Sequence, residues 1–164
     1  EWRNNITDTE VWKNVQDIPD SLLWDTRYEL KQKLLNFLRE YLSTHWLKYG
    51  YTKTWREEFF SKINPAALMI GFARRFAPYK RADMLFYDLD RLDRILNHPT
   101  RPVHIIFAGK AHPNDEMGKG IIKRVIDVCG DERFRGKIFF IEDYNIDPFF
   151  RESRYFPVIE CGYH

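Results

Sequence analysis

Three apolar runs of strand length, separated by segments of helical periodicity, limit what this chain can fold into more than any other feature. Residues 66–73 read Ala-Ala-Leu-Met-Ile-Gly-Phe-Ala, residues 102–108 Pro-Val-His-Ile-Ile-Phe-Ala, and residues 137–141 Lys-Ile-Phe-Phe-Ile. Runs that are continuous rather than alternating read as strands buried on both faces. Between the first two, residues 79–97 place Leu85, Leu89, Leu92 and Leu96 on one side of a helix. Between the last two, Asn114 or Asp115 caps a helix through Ile121, Ile122, Val125 and Val128 that stops at Gly130. The strands start about 35 residues apart, the length of one crossover unit, which predicts β-α-β-α-β with a parallel sheet and right-handed crossovers.

The first 63 residues follow a different pattern. All five tryptophans fall within the first 55 positions, and no glycine occurs before Gly50. Thr7-x-x-Glu10 and Thr54-x-x-Glu57 have the form of capping boxes, and Pro19-Asp20 precedes a long amphipathic run. Leu23, Leu30, Leu34, Phe37, Leu38 and Tyr41 share one helix face, with Lys31, Lys33, Arg39 and Glu40 behind it, so a packing helix with a solvated back is expected. The chain is thus read as α/β, with a helical segment at residues 1–63 and a parallel-sheet part at 64–164.

The 164 residues carry 26 basic and 24 acidic side chains, a formal net charge of +2, which gives no general attraction to nucleic acid or to an anionic membrane. No apolar run approaches the roughly 20 residues needed to cross a bilayer. Cys129 and Cys161, without a CxxC partner, suit neither a disulfide scaffold nor a zinc site, so a cytoplasmic, reducing compartment is expected. The opening Glu1-Trp2-Arg3-Asn4 has no initiator methionine and no leader, which reads as a piece of a longer polypeptide.

In an open parallel sheet, ligands lie beyond the carboxyl ends of the strands, so the loops at 74–80, 109–113 and 142–145 should face one site. The first, Arg74-Arg75-Phe76-Ala77-Pro78-Tyr79-Lys80, continues to Arg81 and concentrates cations without an acid between a strand end and an expected helix N-terminus. Free amides, Arg forks and a Lys charge together suit phosphate. Arg74 and Arg81 could equally cover the sheet edge or pair with Asp83 or Asp88. In the second loop, Gly109 permits close backbone approach and Lys110 is either one more site cation or a surface lysine. His112 has no partner at metal-ligand spacing, so no metal is expected. In the third, Glu142 and Asp143 either bind sugar hydroxyls or cap a helix, and Tyr144 either stacks on a planar cofactor or roofs the core. A dinucleotide fingerprint, a Walker A sequence and a nucleophile elbow are all absent.

The stretch from Ile70 through Arg74-Arg75-Phe76-Ala77-Pro78-Tyr79-Lys80-Arg81 to Ala82, then Ile106-Phe107-Ala108-Gly109-Lys110-Ala111-His112-Pro113, then Ile141-Glu142-Asp143-Tyr144, resembles the α-glucan phosphorylases of the glycogen and maltodextrin type. The similarity runs from about Trp12 to Asn145. It implies half of a Rossmann-like, GT-B type lobe preceded by linker helices. It also implies a parent glycosyltransferase of carbohydrate metabolism that cleaves α-1,4-glucan with phosphate to give glucose 1-phosphate, dependent on pyridoxal phosphate. By the same resemblance Arg75 and Lys80 bind substrate phosphate, Arg74 and Tyr144 lie beside the cofactor, and Gly109 and Lys110 support them.

The match departs from the family after Asn145, where residues 146–164 do not follow its pattern. The segment with the Schiff-base lysine and the glucan-binding first lobe are both expected to be missing, leaving the isolated chain inactive and prone to self-association through an open sheet edge. Two other readings are weighed. In another GT-B glycosyltransferase, such as a glycogen synthase, Arg75 and Lys80 would hold a nucleotide diphosphate. In a non-catalytic module, the basic loop and its aromatic neighbours would bind an anion or nucleic acid, against which the near-neutral charge argues.

Overall fold

The computed structural model describes residues 7–45 and 52–142. Tyr144, Asp143 and the divergent tail therefore lie outside the described residues. Three parallel strands, β1 (Leu68–Ala73), β2 (Val103–Ala108) and β3 (Ile138–Ile141), form a sheet in the order β1-β2-β3. β2 is buried at every position, as its uninterrupted apolar run requires of a central strand.

Alternate residues of the strands feed two cores. Val103, Ile105, Phe107 and Ile138 pack with Leu92 and Leu96 of α4 (Leu89–Leu96) and with Val125 and Val128 of α5 (Glu116–Gly130). Met69, Ile106, Ala108, Phe139 and Ile141 pack with Leu34, Leu35 and Leu38 of α2 (Asp20–His45) and with Phe59 of α3 (Lys53–Ser61). The tryptophan-bearing N-terminal helices thus close the second face of the sheet, giving three layers. Where the two faces meet at β3, a cavity of about 70 Å³ is lined by Trp55, Phe59, Ile126, Cys129 and Phe139 among others.

Helix starts differ from the capping boxes read in the sequence. Asp8, not Thr7, caps the short α1 (Thr9–Lys13) by accepting from the Glu10 amide at 3.0 Å. Thr52, not Thr54, caps α3 by accepting from the Trp55 amide at 3.1 Å. In each case a polar side chain at a non-helical position decides the start, whatever acid follows three residues on. The expected face of α2 is covered only from Leu30 onward, with Leu34 and Leu38 buried and Leu30, Phe37 and Tyr41 half-buried. Leu22, Leu23, Trp24 and Tyr28 in its first turns are exposed. Its polar back is not wholly solvated either, because the Lys31 ammonium donates to the Ala67 carbonyl at 2.9 Å, and burial holds its pKa below the usual lysine value.

The largest departure lies between β1 and β2, where one helix over 79–97 was expected. The chain instead makes a 3-10 turn at Pro78–Lys80 and passes through Arg81 at φ 52°. A second 3-10 turn follows at Met84–Phe86, and α4 begins only after Asp88, whose carboxylate accepts from the Arg91 amide at 2.9 Å. A left-handed residue cannot continue a right-handed helix. Phe86 takes the core place foreseen for Leu85, which is exposed.

Candidate functional site

Ladder register sets the stage. Ala73 pairs with Ala108, and Ala108 with Ile141, so Arg74, Gly109 and Glu142 each follow directly from strand ends that are level with one another. With neighbouring strands about 4.8 Å apart, the three loops leave the sheet across roughly 10 Å. The cations of the first loop are therefore presented where a parallel sheet binds ligands.

In that loop the side chains divide by polarity. Arg74 and Arg75 are exposed, Phe76 and Ala77 are buried, and Lys80 is half-buried with its ammonium 4.7 Å from the centre of the Tyr79 ring. Among the described residues neither Arg75 nor Arg81 has a carboxylate partner. The alternative pairing of Arg81 with Asp83 or Asp88 is not made, since Asp83 faces Arg124 at 3.4 Å and Asp88 caps α4. The helix N-terminus expected behind the cations is also absent, because only the three-residue turn at Pro78–Lys80 follows them. No helix dipole therefore stands behind these cations.

The first two loops are fastened together. The Phe76 amide donates to the Lys110 carbonyl at 2.9 Å, and the Phe76 ring lies 5.5 Å from that of Phe72 and 5.9 Å from that of Phe140. Gly109 passes so close that a Cβ there would stand 2.1 Å from the Arg74 carbonyl oxygen, which meets the close approach read at this glycine. Lys110 is exposed. In the third loop the Glu142 carbonyl accepts from the Tyr41 hydroxyl at 3.3 Å, so α2 touches the site's far side. His112 accepts from the Asn114 amide through Nδ1 at 3.1 Å, a turn-forming role. Among the described residues no group of three His, Cys, Asp or Glu is placed to hold a metal ion, and no helix is long and apolar enough to cross a membrane.

Sequence reasoning missed Phe76 as the anchor of the loop, though a phenylalanine inside a basic stretch is the visible signal. It also passed over His104, a histidine in the middle of β2. His104 is fully buried, its Nε2 accepts from the Asn64 amide at 2.9 Å, and its Nδ1 has no partner among the described residues. Burial first, and then the Lys137 charge, push its pKa down to about 4. An N–H aimed at Nε2 also requires the neutral ring.

No protein-family model matches the chain. The maltodextrin phosphorylase of Thermococcus litoralis is 39% identical over 145 residues, which is 88% of this chain and 17% of that protein. The glycogen phosphorylase of Aquifex aeolicus is 40% identical over 147 residues, 82% of this chain and 20% of its own length. The glycogen phosphorylase of Mycobacterium tuberculosis is 32% identical over 143 residues, 87% of this chain. Over most of its length the chain is thus similar to maltodextrin and glycogen phosphorylases. It spans about a fifth or less of the length of the phosphorylases it matches. Matches of this length take in the N-terminal helices and the sheet alike, in keeping with a phosphorylase fragment of α/β fold.

Proposed function

We propose that this chain forms the phosphate-holding part of an α-glucan phosphorylase, a transferase that splits α-1,4-glucan with phosphate and releases glucose 1-phosphate in the cytoplasm. The observation that carries the reading is Arg75, exposed at a strand's carboxyl end with no carboxylate partner among the described residues and with Lys80 in the same loop. A charge left unneutralised beside a fixed backbone is available to an incoming anion. In this reading Arg75 and Lys80 hold the substrate phosphate, Arg74 and Tyr144 face pyridoxal phosphate, and Gly109 and Lys110 brace the loop. The cation-bearing loop suits a phosphate ester, which is the part of that cofactor the described residues fit. When bound, the cofactor supplies a phosphate group that exchanges a proton with the substrate's. The chain's own arginines and lysine would hold the two negatively charged groups together against their repulsion.

The test is titration of the chain with inorganic phosphate at low salt. Arg75→Ala should weaken binding by about 1 kcal/mol, below the usual range for a charged hydrogen bond because the side chain is exposed, whereas Arg81→Ala should change it little. Equal losses would mean that only general positive charge attracts the anion. Among the described residues β1 is bordered by strand on one side only, and Leu68 is exposed, which supports pairing of two copies along that edge. Light scattering at micromolar concentration should show dimers that Leu68→Lys reduces. A monomer in both forms contradicts the pairing.

A further inference from the structure

We propose that Gly118 is a positioning residue of the phosphate site, which lets the first turn of α5 seat the backbone of the cation loop and so fixes where Arg75 and Lys80 stand. The inference rests on the phosphate reading above and adds the means by which the loop is held. An exposed cation contributes little to recognition unless its backbone is fixed, because ordering the chain offsets the gain.

The loop's fixed point is Phe76. Its ring is buried between Phe72 and Phe140, and its amide is committed to the Lys110 carbonyl. Its own carbonyl oxygen lies over Gly118, where a Cβ would stand 2.4 Å away, and the same Cβ would be 2.7 Å from Asp115 Oδ2. Neither neighbour is free to yield. The Phe76 oxygen belongs to backbone held at both its ring and its amide. The Asp115 carboxylate caps α5 by accepting from the Gly118 amide at 2.8 Å. Any side chain at 118 must therefore push the loop outward or break the cap.

A second glycine in the same helix supplies the control. Gly120 has open space where its Cβ would be, with nothing within 4 Å. Both glycines lower helix propensity by a similar amount, so propensity alone predicts that alanine stabilises at either position. Contact predicts opposite outcomes at the two.

The experiment uses the 164-residue chain with inorganic phosphate as the probe, reading phosphate affinity, the Arg75 Nε–H resonance and exchange of the Phe76 amide. Gly118→Ala should weaken phosphate binding about tenfold, remove most of the phosphate-induced shift at Arg75 and speed Phe76 exchange about tenfold, while Gly120→Ala changes none of them beyond about twofold. A folded Gly118→Ala chain that keeps the Arg75 response and the Phe76 protection overturns the proposal. If the unsubstituted chain binds no phosphate, the phosphate reading fails by itself, and Phe76 exchange alone judges the seating: faster in Gly118→Ala only, it stands; equal in both variants, it falls. If Gly118→Ala does not fold, Asp115→Ala loosens the same turn. The Phe76 protection and the Arg75 response must then weaken together, and an unchanged pair overturns the proposal.

Discussion

The two ends of the sheet use polar side chains in opposite ways. At the amino end, Lys31 is committed to the Ala67 carbonyl and His104 to the Asn64 amide, both by hydrogen bonds that pin the chain as it enters β1. At the carboxyl end, Arg75 and Arg81 have no carboxylate partner among the described residues and stand in solvent. A buried polar group without its hydrogen bond costs free energy, so the amino-end groups are bound to the fold. A solvated cation costs almost nothing to leave unpaired and remains available to a ligand. The sequence shows Lys and His at one end and Arg and Lys at the other; partners, not residue types, separate structure from candidate function.

Acid should break this contrast most strongly. With His104 neutral in the folded chain and its pKa at about 4, the unfolded chain takes up a proton near its ordinary value of about 6.5 while the folded chain resists. Stability is then complete above about pH 6.5 and falls as pH drops toward 4, by about 3 kcal/mol, with Lys137 and Lys31 as the facing charges that oppose protonation. Urea unfolding at several pH values measures the slope. His104→Gln, whose amide oxygen can accept from Asn64, should flatten it. An unchanged slope would place the acid sensitivity elsewhere.

A smaller effect sharpens the same contrast. Lys31→Met keeps the apolar stem but loses the bond to Ala67, and should cost about 1 kcal/mol of stability. Arg75→Ala should change stability by less than about 0.5 kcal/mol, as expected of a surface residue without partners. Comparable losses in thermal melts of the two variants would erase the distinction between the ends.

The strands and α5 were legible because continuous apolar runs, and a cap narrowed to Asn114 or Asp115, leave few alternatives; the structure settles the cap on Asp115. The stretch between Arg74 and Leu89 was not, since its leucine spacing fits a helix while Arg81 adopts a left-handed conformation that spacing does not encode. The caps at Asp8 and Thr52 were misplaced because motif spacing was favoured over the residue that stands just outside each helix. Of the site, the cations were visible as a basic loop after a strand. What holds them was not: Phe76 meets Lys110 and Gly118 only through chain segments 34 to 42 residues away in sequence, beyond the reach of any local pattern.

The six paired residues of β1 and β2 also act as a ruler between the two ends. A slip of one residue would turn His104 to the opposite face and in the same movement carry Gly109 away from Arg74. The histidine's bond at one end thus indexes the loop at the other: the ladder has a single phase, and a defect that changes it is read simultaneously as a lost buried bond and a misplaced cation.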